Sequence, residues 1–183
     1  MSKAVLISIR PQWCQKIASA EKTIEVRKTR PKLETPFKAY IYCTMPDAKD
    51  PHNILELHGA DGKIRKANGK VVGEFTCDRI FPINVFDNGS IQNWLFEHME
   101  RSCLTYEELA DYIGNGKTGY GWHISGLLIY NQPKGLSEFQ RATDPCVFCM
   151  ERIARECTDC KKFGGNIKRP PQSWCYVEAM KDE

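Results

Sequence analysis

The sequence lacks the segments and motifs that would assign it to a membrane protein or to a familiar class of enzyme. Its 183 residues contain no apolar run near the roughly 18 residues of a membrane span. The apolar run 4–9 is too short for a signal peptide and is cut off by Arg10 and Pro11. No Ser/His/Asp arrangement, Walker loop or GxGxxG fingerprint is present. We therefore expect a cytoplasmic protein without a membrane partner.

The overall charge is also uninformative. The formal net charge is +3, and apolar and charged residues make up 42% and 27% of the chain, as is ordinary for a globular protein. This length predicts one domain with room for a small appendage. A net charge so close to zero does not by itself indicate nucleic-acid binding. Evidence for such binding must come from local clusters of charged residues.

The pattern of apolar residues predicts a mostly antiparallel β-barrel of α+β class with short flanking helices. Most predicted strands are not joined by helices, and a long excursion spans residues 45–70. Thr105 followed by Glu108 forms a capping box that predicts the start of one helix. Predicted strands cover residues 3–9, 23–28, 37–44, 71–80, 119–130 and 173–179, and predicted helices cover residues 11–20, 90–99 and 105–113.

The most informative segment lies between the first predicted helix and the second strand. Side chains alternate between the two faces of a strand, so Glu25 and Arg27 share a face while Lys22 lies at the turn before them. An arginine fork and a mobile lysine suit a phosphate or carboxylate, and a glutamate can accept from the donor edge of a base. These three residues are thus candidates for binding an anionic ligand such as a nucleotide. The alternative is a surface salt bridge contributing ~0–1 kcal/mol.

Aromatic and basic side chains around this segment fit single-stranded RNA, which combines base stacking with cations along the backbone. The alternative is that the aromatic residues belong to the core and that the histidine is structural. The further candidates for ligand contact are Trp13, Lys28, Tyr42, Trp122 and His123.

The cysteines predict a metal site rather than disulfides. There are nine cysteines, an odd number, in a chain for which we expect a reducing compartment. Two CxxC pairs separated by seven residues predict a closed, structural zinc site, because each pair brings two thiolates to one ion. The segment is poor in bulky apolar residues, so a metal would supply its stability. Free thiols, or Cys175 in place of one ligand, remain alternatives; the predicted ligands are Cys146, Cys149, Cys157 and Cys160.

The stretch Ala20-Glu21-Lys22-Thr23-Ile24-Glu25-Val26-Arg27 resembles the signature of the ASCH domain family, with Ala20 where the family has a glycine. Residues 119–124, 133–139 and 169–178 resemble later parts of ASCH proteins of the phage and prophage type. The resemblance implies a PUA-like barrel, here residues 1–140 and 170–183, around a cysteine-rich insertion at 141–169. It also implies an RNA-related role, with a cleft over the signature.

Two other functions stay open. Some ASCH proteins resemble hydrolases, including one acting on an acylated cytidine nucleoside with a threonine where this chain has Glu25. A hydrolase of modified nucleosides or RNA would use Lys22 and Glu25 as catalytic groups. The second alternative is a phage-encoded interaction module that binds a host protein through its zinc loop.

Overall fold

The computed structural model describes residues 2–46, 53–59, 61–92, 94, 96–142 and 165–180. Within these ranges the chain is a mixed α+β protein dominated by strands, and no described helix has the length and apolar character needed to cross a membrane. The helices are α1 (Pro11–Ala18), α2 (Phe96–Ser102) and α3 (Tyr106–Ile113). The strands are β1 (Lys3–Ile9), β2 (Ile24–Arg27), β3 (Phe37–Cys43), β4 (Glu56–His58), β5 (Ile64–Lys66), β6 (Val71–Cys77), β7 (Ile80–Val85), β8 (Ile91–Gln92), β9 (Lys117–His123), β10 (Ser125–Lys134), β11 (Gln140–Arg141), β12 (Gly165–Asn166) and β13 (Trp174–Glu178).

The chain divides into two compact units, and the first comprises Met1–Pro11, Lys38–Glu74 and Ile129–Glu183. Its main sheet has the order β10-β6-β3-β1-β13-β11-β12, with β6 and β10 belonging to this unit in part. Strand β1 is parallel to β3 and antiparallel to β13. Both inner strands are buried on both faces, as expected for central strands. A core cluster of this unit contains Ala4, Leu6, Tyr40, Tyr42, Val71, Phe139, Ile167 and Val177.

The second unit comprises Gln12–Phe37 and Phe75–Leu128 and is built on the sheet β2-β9-β7-β8. Strand β9 runs antiparallel to both β2 and β7. One face of this sheet packs against α3, because Leu109 and Ile113 form a core cluster with Val26, Ile83 and Val85. Strand β2, the second strand predicted from the sequence, is therefore held against α3 through Val26.

The predicted α+β class is confirmed, but the described strands do not close into one barrel. They form open sheets of seven, four and two strands. The larger sheets end in β12 and β8, each only two residues long, and strands so short offer few backbone groups for a continuing ladder. The parallel pairing of β1 with β3 also departs from a purely antiparallel arrangement.

The helix predicted over residues 90–99 is wrong in its first half. Ile91 and Gln92 form β8, which pairs with the end of β7, and α2 begins only at Phe96. The reason is a tight turn before β8, in which Gly89 adopts a φ of +80° and Phe86 N–H donates to Ser90 O. Ser90 therefore closes this turn just before β8. The single strand predicted over residues 119–130 is instead the two strands β9 and β10, with Ile124 between them.

The end of α1 requires an unusual backbone conformation. Ala20 has a φ of +61°, in the left-handed region that favours glycine. Its N–H donates to Ile17 O, and Lys22 N–H donates to Lys16 O, so this residue reverses the chain and directs it into β2. The position where ASCH proteins carry glycine is thus the position where this chain needs a left-handed residue.

We predict that Ala20→Gly raises the free energy of unfolding by about 1 kcal/mol, because it removes the steric cost of Cβ in the left-handed region. Ala18→Gly, at the last helical residue of α1, is the matched control and should lower it. Urea unfolding of both variants tests this. Equal destabilisation by the two glycines would contradict the strain assigned to Ala20.

Candidate ligand-binding site

The pairing of β2 with β9 sets one polar face of the second unit. Glu25 lies opposite Trp122 and Arg27 lies opposite Tyr120 in the antiparallel register. Directly paired residues share a face, so these four side chains lie on the side away from Val26 and its cluster with α3. We call this surface, defined by Glu25, Arg27, Tyr120 and Trp122, the charged face.

The last turn of α2 holds Lys22 at the start of β2. Thr23 N–H donates to Arg101 O at 2.9 Å, and Lys22 Nζ donates to Ser102 O at 2.5 Å. Carbonyls at a helix C-terminus carry partial negative charge and have no partner within the helix, so they suit an ammonium group. The cation at the turn is therefore held by a helix that lies about 80 residues further along the chain.

Glu25 links the two cations. Its Oε1 lies 3.0 Å from Arg27 Nη2, and its Oε2 lies 3.5 Å from Lys22 Nζ. Only 2% of Lys22, 6% of Glu25 and 8% of Arg27 is exposed. The surface salt bridge considered from the sequence is thus wrong, because this is a buried ion cluster. Within this cluster the loss of Glu25 would leave two buried cations without a counter-charge.

One atom of the cluster has unused hydrogen-bonding capacity. Glu25 Oε2 is buried, and within the described residues its nearest cation is Lys22 Nζ at 3.5 Å, too long and poorly placed to count as a hydrogen bond. Buried carboxylate oxygens are normally hydrogen-bonded, so an exception calls for an explanation. A donor on a bound molecule would supply the missing bond.

Lys22 also contacts an aromatic ring. Its Nζ lies 5.0 Å from the centroid of the Trp13 ring, a cation–π distance, and Lys16 approaches the same ring at 5.7 Å. Desolvation by burial lowers the pKa of Lys22 below its usual value, and the nearby Glu25 and Cys103 offset only part of this effect. The ammonium therefore gives up its proton more readily than that of an ordinary lysine.

Two of the other predicted contact residues, Trp122 and Lys28, have different surroundings. Trp122 is on the charged face but fully buried, where it packs edge-on against Phe37 at 5.7 Å. It supports the face from inside and presents no open ring for stacking. Lys28 is exposed and lies over the Tyr112 ring of α3, at 5.2 Å.

His123 and Tyr42, the remaining predicted contact residues, each have other partners. His123 Nδ1 is 2.6 Å from Asp78 Oδ1, and this partner was not identified from the sequence. The pKa of Asp78 is below its usual value, because the hydrogen bond and charge of His123 outweigh the raising effect of burial. Tyr42 belongs to the first unit, where it is buried in the core cluster. Burial raises its pKa, with a smaller contribution from Cys43.

Sequence reasoning missed Ser102 and Tyr120. The contact of Ser102 is made by a backbone carbonyl, which no residue type reveals. Tyr120 could have been found, because the antiparallel pairing of the second and later predicted strands would bring alternate residues of each to one face.

The predicted zinc ligands Cys146, Cys149, Cys157 and Cys160 lie outside the described residues, which omit 143–164. Across the ranges that are described, no group of three or more His, Cys, Asp or Glu side chains is arranged to hold a metal. Cys175 is described and lies in β13, where burial raises the pKa of its thiol and Arg141 lowers it to a smaller extent.

Comparison with solved structures shows the fold. The chain is similar to an ASCH protein from Zymomonas mobilis, with a TM-score of 0.57 and 17% identity, covering 96% of this chain and 87% of that one. A variant of the same protein with a tyrosine replaced by phenylalanine matches with a TM-score of 0.57 and 17% identity, covering 97% of this chain and 91% of that one. A serine-to-alanine variant matches with a TM-score of 0.56 and 17% identity, covering 96% of this chain and 88% of that one. No family model and no curated protein matches the sequence. The chain therefore has the ASCH fold.

We predict that Glu25→Ala lowers the free energy of unfolding by about 3–5 kcal/mol, because it leaves Lys22 and Arg27 buried without their counter-charge. The matched control is Asp61→Ala, which breaks the exposed 2.6 Å pair with Arg65. That change should leave the urea midpoint almost unmoved. Similar midpoints for the two variants would mean that burial does not set the strength of the Glu25 pair.

Proposed function

We propose that this protein is an ASCH protein of the phage and prophage type that binds RNA or a nucleotide through Lys22, Glu25 and Arg27. The fold supports this proposal, since the solved structures it resembles are ASCH proteins. The resemblance of residues 20–27 to the ASCH signature supports it independently, because Lys22, Glu25 and Arg27 are the residues that match.

The observation that carries the proposal is the unused Oε2 of Glu25. A carboxylate oxygen is only an acceptor when ionised, so its missing partner must be a donor. The exocyclic amino group of cytosine is such a donor, and glutamate accepts from it in base recognition. Lys22 and Arg27 lie at ion-pair distance from the carboxylate, at 3.5 and 3.0 Å, and leave Oε2 available to accept from a ligand.

Arg27 supplies the affinity for the rest of the nucleotide. Its guanidinium has donors in a fixed fork that matches a phosphate or a carbonyl edge. One side of that fork is held by Glu25 at 3.0 Å, which orients the group. A charged donor held in this way loses little freedom when a ligand binds.

The direct test is binding of a fluorescent oligocytidylate RNA, followed by polarisation at low and moderate salt. We expect Arg27→Ala to weaken binding by about tenfold or more and to reduce the dependence of affinity on salt. Arg65→Ala is the matched control, because it removes the same charge from the exposed β4–β5 hairpin. It should leave binding almost unchanged.

The folded state must be verified because Arg27 is buried. Circular dichroism and thermal unfolding provide this check, and Arg27→Lys gives a second variant that keeps the charge but loses the fork. We expect weakened binding in Arg27→Lys as well. Unchanged affinity in a folded Arg27 variant, or an equal loss in Arg65→Ala, would contradict the proposal.

The alternative is a hydrolase of RNA or of modified nucleosides, and the lowered pKa of Lys22 favours it. An amine that deprotonates readily can act as a general base, and perturbed pKa values cluster at catalytic sites. Whether the ligand is hydrolysed can be measured in the same RNA-binding mixtures. Cleavage of the RNA, or of an acylated cytidine, that is lost in folded Lys22→Met would make the protein an enzyme, whereas intact RNA at equilibrium supports binding alone.

A zinc ion held by Cys146, Cys149, Cys157 and Cys160 remains a separate proposal about the cysteine-rich segment. Its support is the CxxC pairing in the sequence. If the segment contacts a host protein, that interaction would depend on the metal.

Metal analysis tests this site in the full chain. We expect about one equivalent of zinc in freshly reduced protein, since one ion satisfies four thiolates. Cys146→Ser should lose most of it, while Cys77→Ser, at a buried thiol in β6, should retain it. Less than about half an equivalent in the unaltered protein would reject a structural zinc site.

A further inference from the structure

The charged face continues beyond the ion cluster to a half-buried aromatic side chain, that of Tyr120. Tyr120 lies directly opposite Arg27 and two residues from Trp122 along β9. Exposure increases along this line, because Trp122 is fully buried, Tyr120 is half-buried and Thr118 is exposed. The face therefore opens towards solvent beside Arg27.

A second arginine lies at Tyr120. The guanidinium carbon of Arg30 is 5.8 Å from the centroid of the Tyr120 ring, and Arg30 is exposed. Arginine over an aromatic ring is the combination that stacks bases and contacts the backbone in proteins that bind single strands. Tyr120 is thus paired with Arg27 across the two strands and has Arg30 over its ring.

The charge of this surface suits a polyanion. Across β2, β7, β8 and β9, the residues that face this side include one carboxylate, that of Glu25, whose charge Lys22 and Arg27 balance. The positions of β7 opposite Tyr120 and Thr118 are Pro82 and Asn84, both uncharged. Arg30 therefore adds a positive charge beside the Tyr120 ring, on a side to which these four strands contribute the single carboxylate of Glu25.

We propose that Tyr120 and Arg30 form a second nucleotide position, so that the ligand is single-stranded RNA of more than one nucleotide. This inference rests on the proposed function, with the first base at Glu25 and Arg27. Residues two apart along a strand are about 7 Å apart, so Tyr120 is within reach of the next base of an extended strand. The neighbouring base stacks on the tyrosine ring, and Arg30 contacts the phosphate between the two nucleotides.

The test compares two ligands, cytidine monophosphate and a short oligocytidylate, on the full chain. Tyr120→Ala should weaken oligocytidylate binding roughly 5-fold to 100-fold, as expected for the loss of one base stack, and leave the mononucleotide affinity unchanged. Tyr120→Phe keeps the ring and should bind both ligands as the unaltered protein does. Arg30→Ala should also affect only the oligonucleotide.

Tyr112→Ala is the matched control for a surface tyrosine. Tyr112 also has a cation over its ring, Lys28 at 5.2 Å, but it lies on α3, which packs on the opposite face of the sheet. It should leave both affinities unchanged. Equal losses in Tyr112→Ala and Tyr120→Ala would overturn the second position.

The outcomes separate the two proposals. Loss of both ligands in Arg27→Ala, together with unchanged oligonucleotide binding in Tyr120→Ala, rejects the second position and retains the first. Equal weakening of both ligands in Tyr120→Ala means that this residue belongs to the first position, which also rejects the inference. Failure of the unaltered protein to bind either ligand rejects both proposals.

Discussion

The burial of Glu25 between Lys22 and Arg27 is the constraint on which the second unit depends. A carboxylate in this position is stable only while both cations stay within ion-pair distance, at 3.5 and 3.0 Å. Lys22 in turn requires the C-terminal carbonyl of α2, and Arg27 requires β2 to keep its register with β9. The position of α2, the turn at Ala20 and the pairing of β2 are therefore linked through one charge cluster.

Much of this local arrangement could be predicted from the sequence because it follows from short-range rules. The alternation of β2 placed Glu25 and Arg27 on one face, and β1 occurs over the range predicted for it. The capping box at Thr105 is present, with Thr105 accepting from Glu108 N–H and Glu108 accepting from Thr105 N–H. In each case the interacting residues are fewer than five positions apart, so the pattern contains the information.

The parts that could not be predicted depend on which strands become central and which elements meet at long range. Tyr40 and Tyr42 alternate with apolar residues, a pattern that favours one exposed face, but β3 lies between β1 and β6 and both tyrosines are buried. Likewise, nothing in residues 90–99 indicates that their start pairs with β7. Closure of a barrel requires the edge strands to pair with a fixed stagger and tilt, which are long-range properties. The edge strands β8 and β12 are two residues long and carry almost no sequence signal.

The buried cluster is at once a structural element and the proposed ligand site, because its one unsatisfied oxygen, Glu25 Oε2, needs a donor that the described residues do not supply. A crystal structure of the complex with oligocytidylate RNA tests this claim most directly. The account predicts a base amino group within hydrogen-bond distance of Glu25 Oε2 and a nucleotide oxygen within reach of Arg27. RNA bound elsewhere on the protein, with no ligand atom near Glu25 or Arg27, would contradict it.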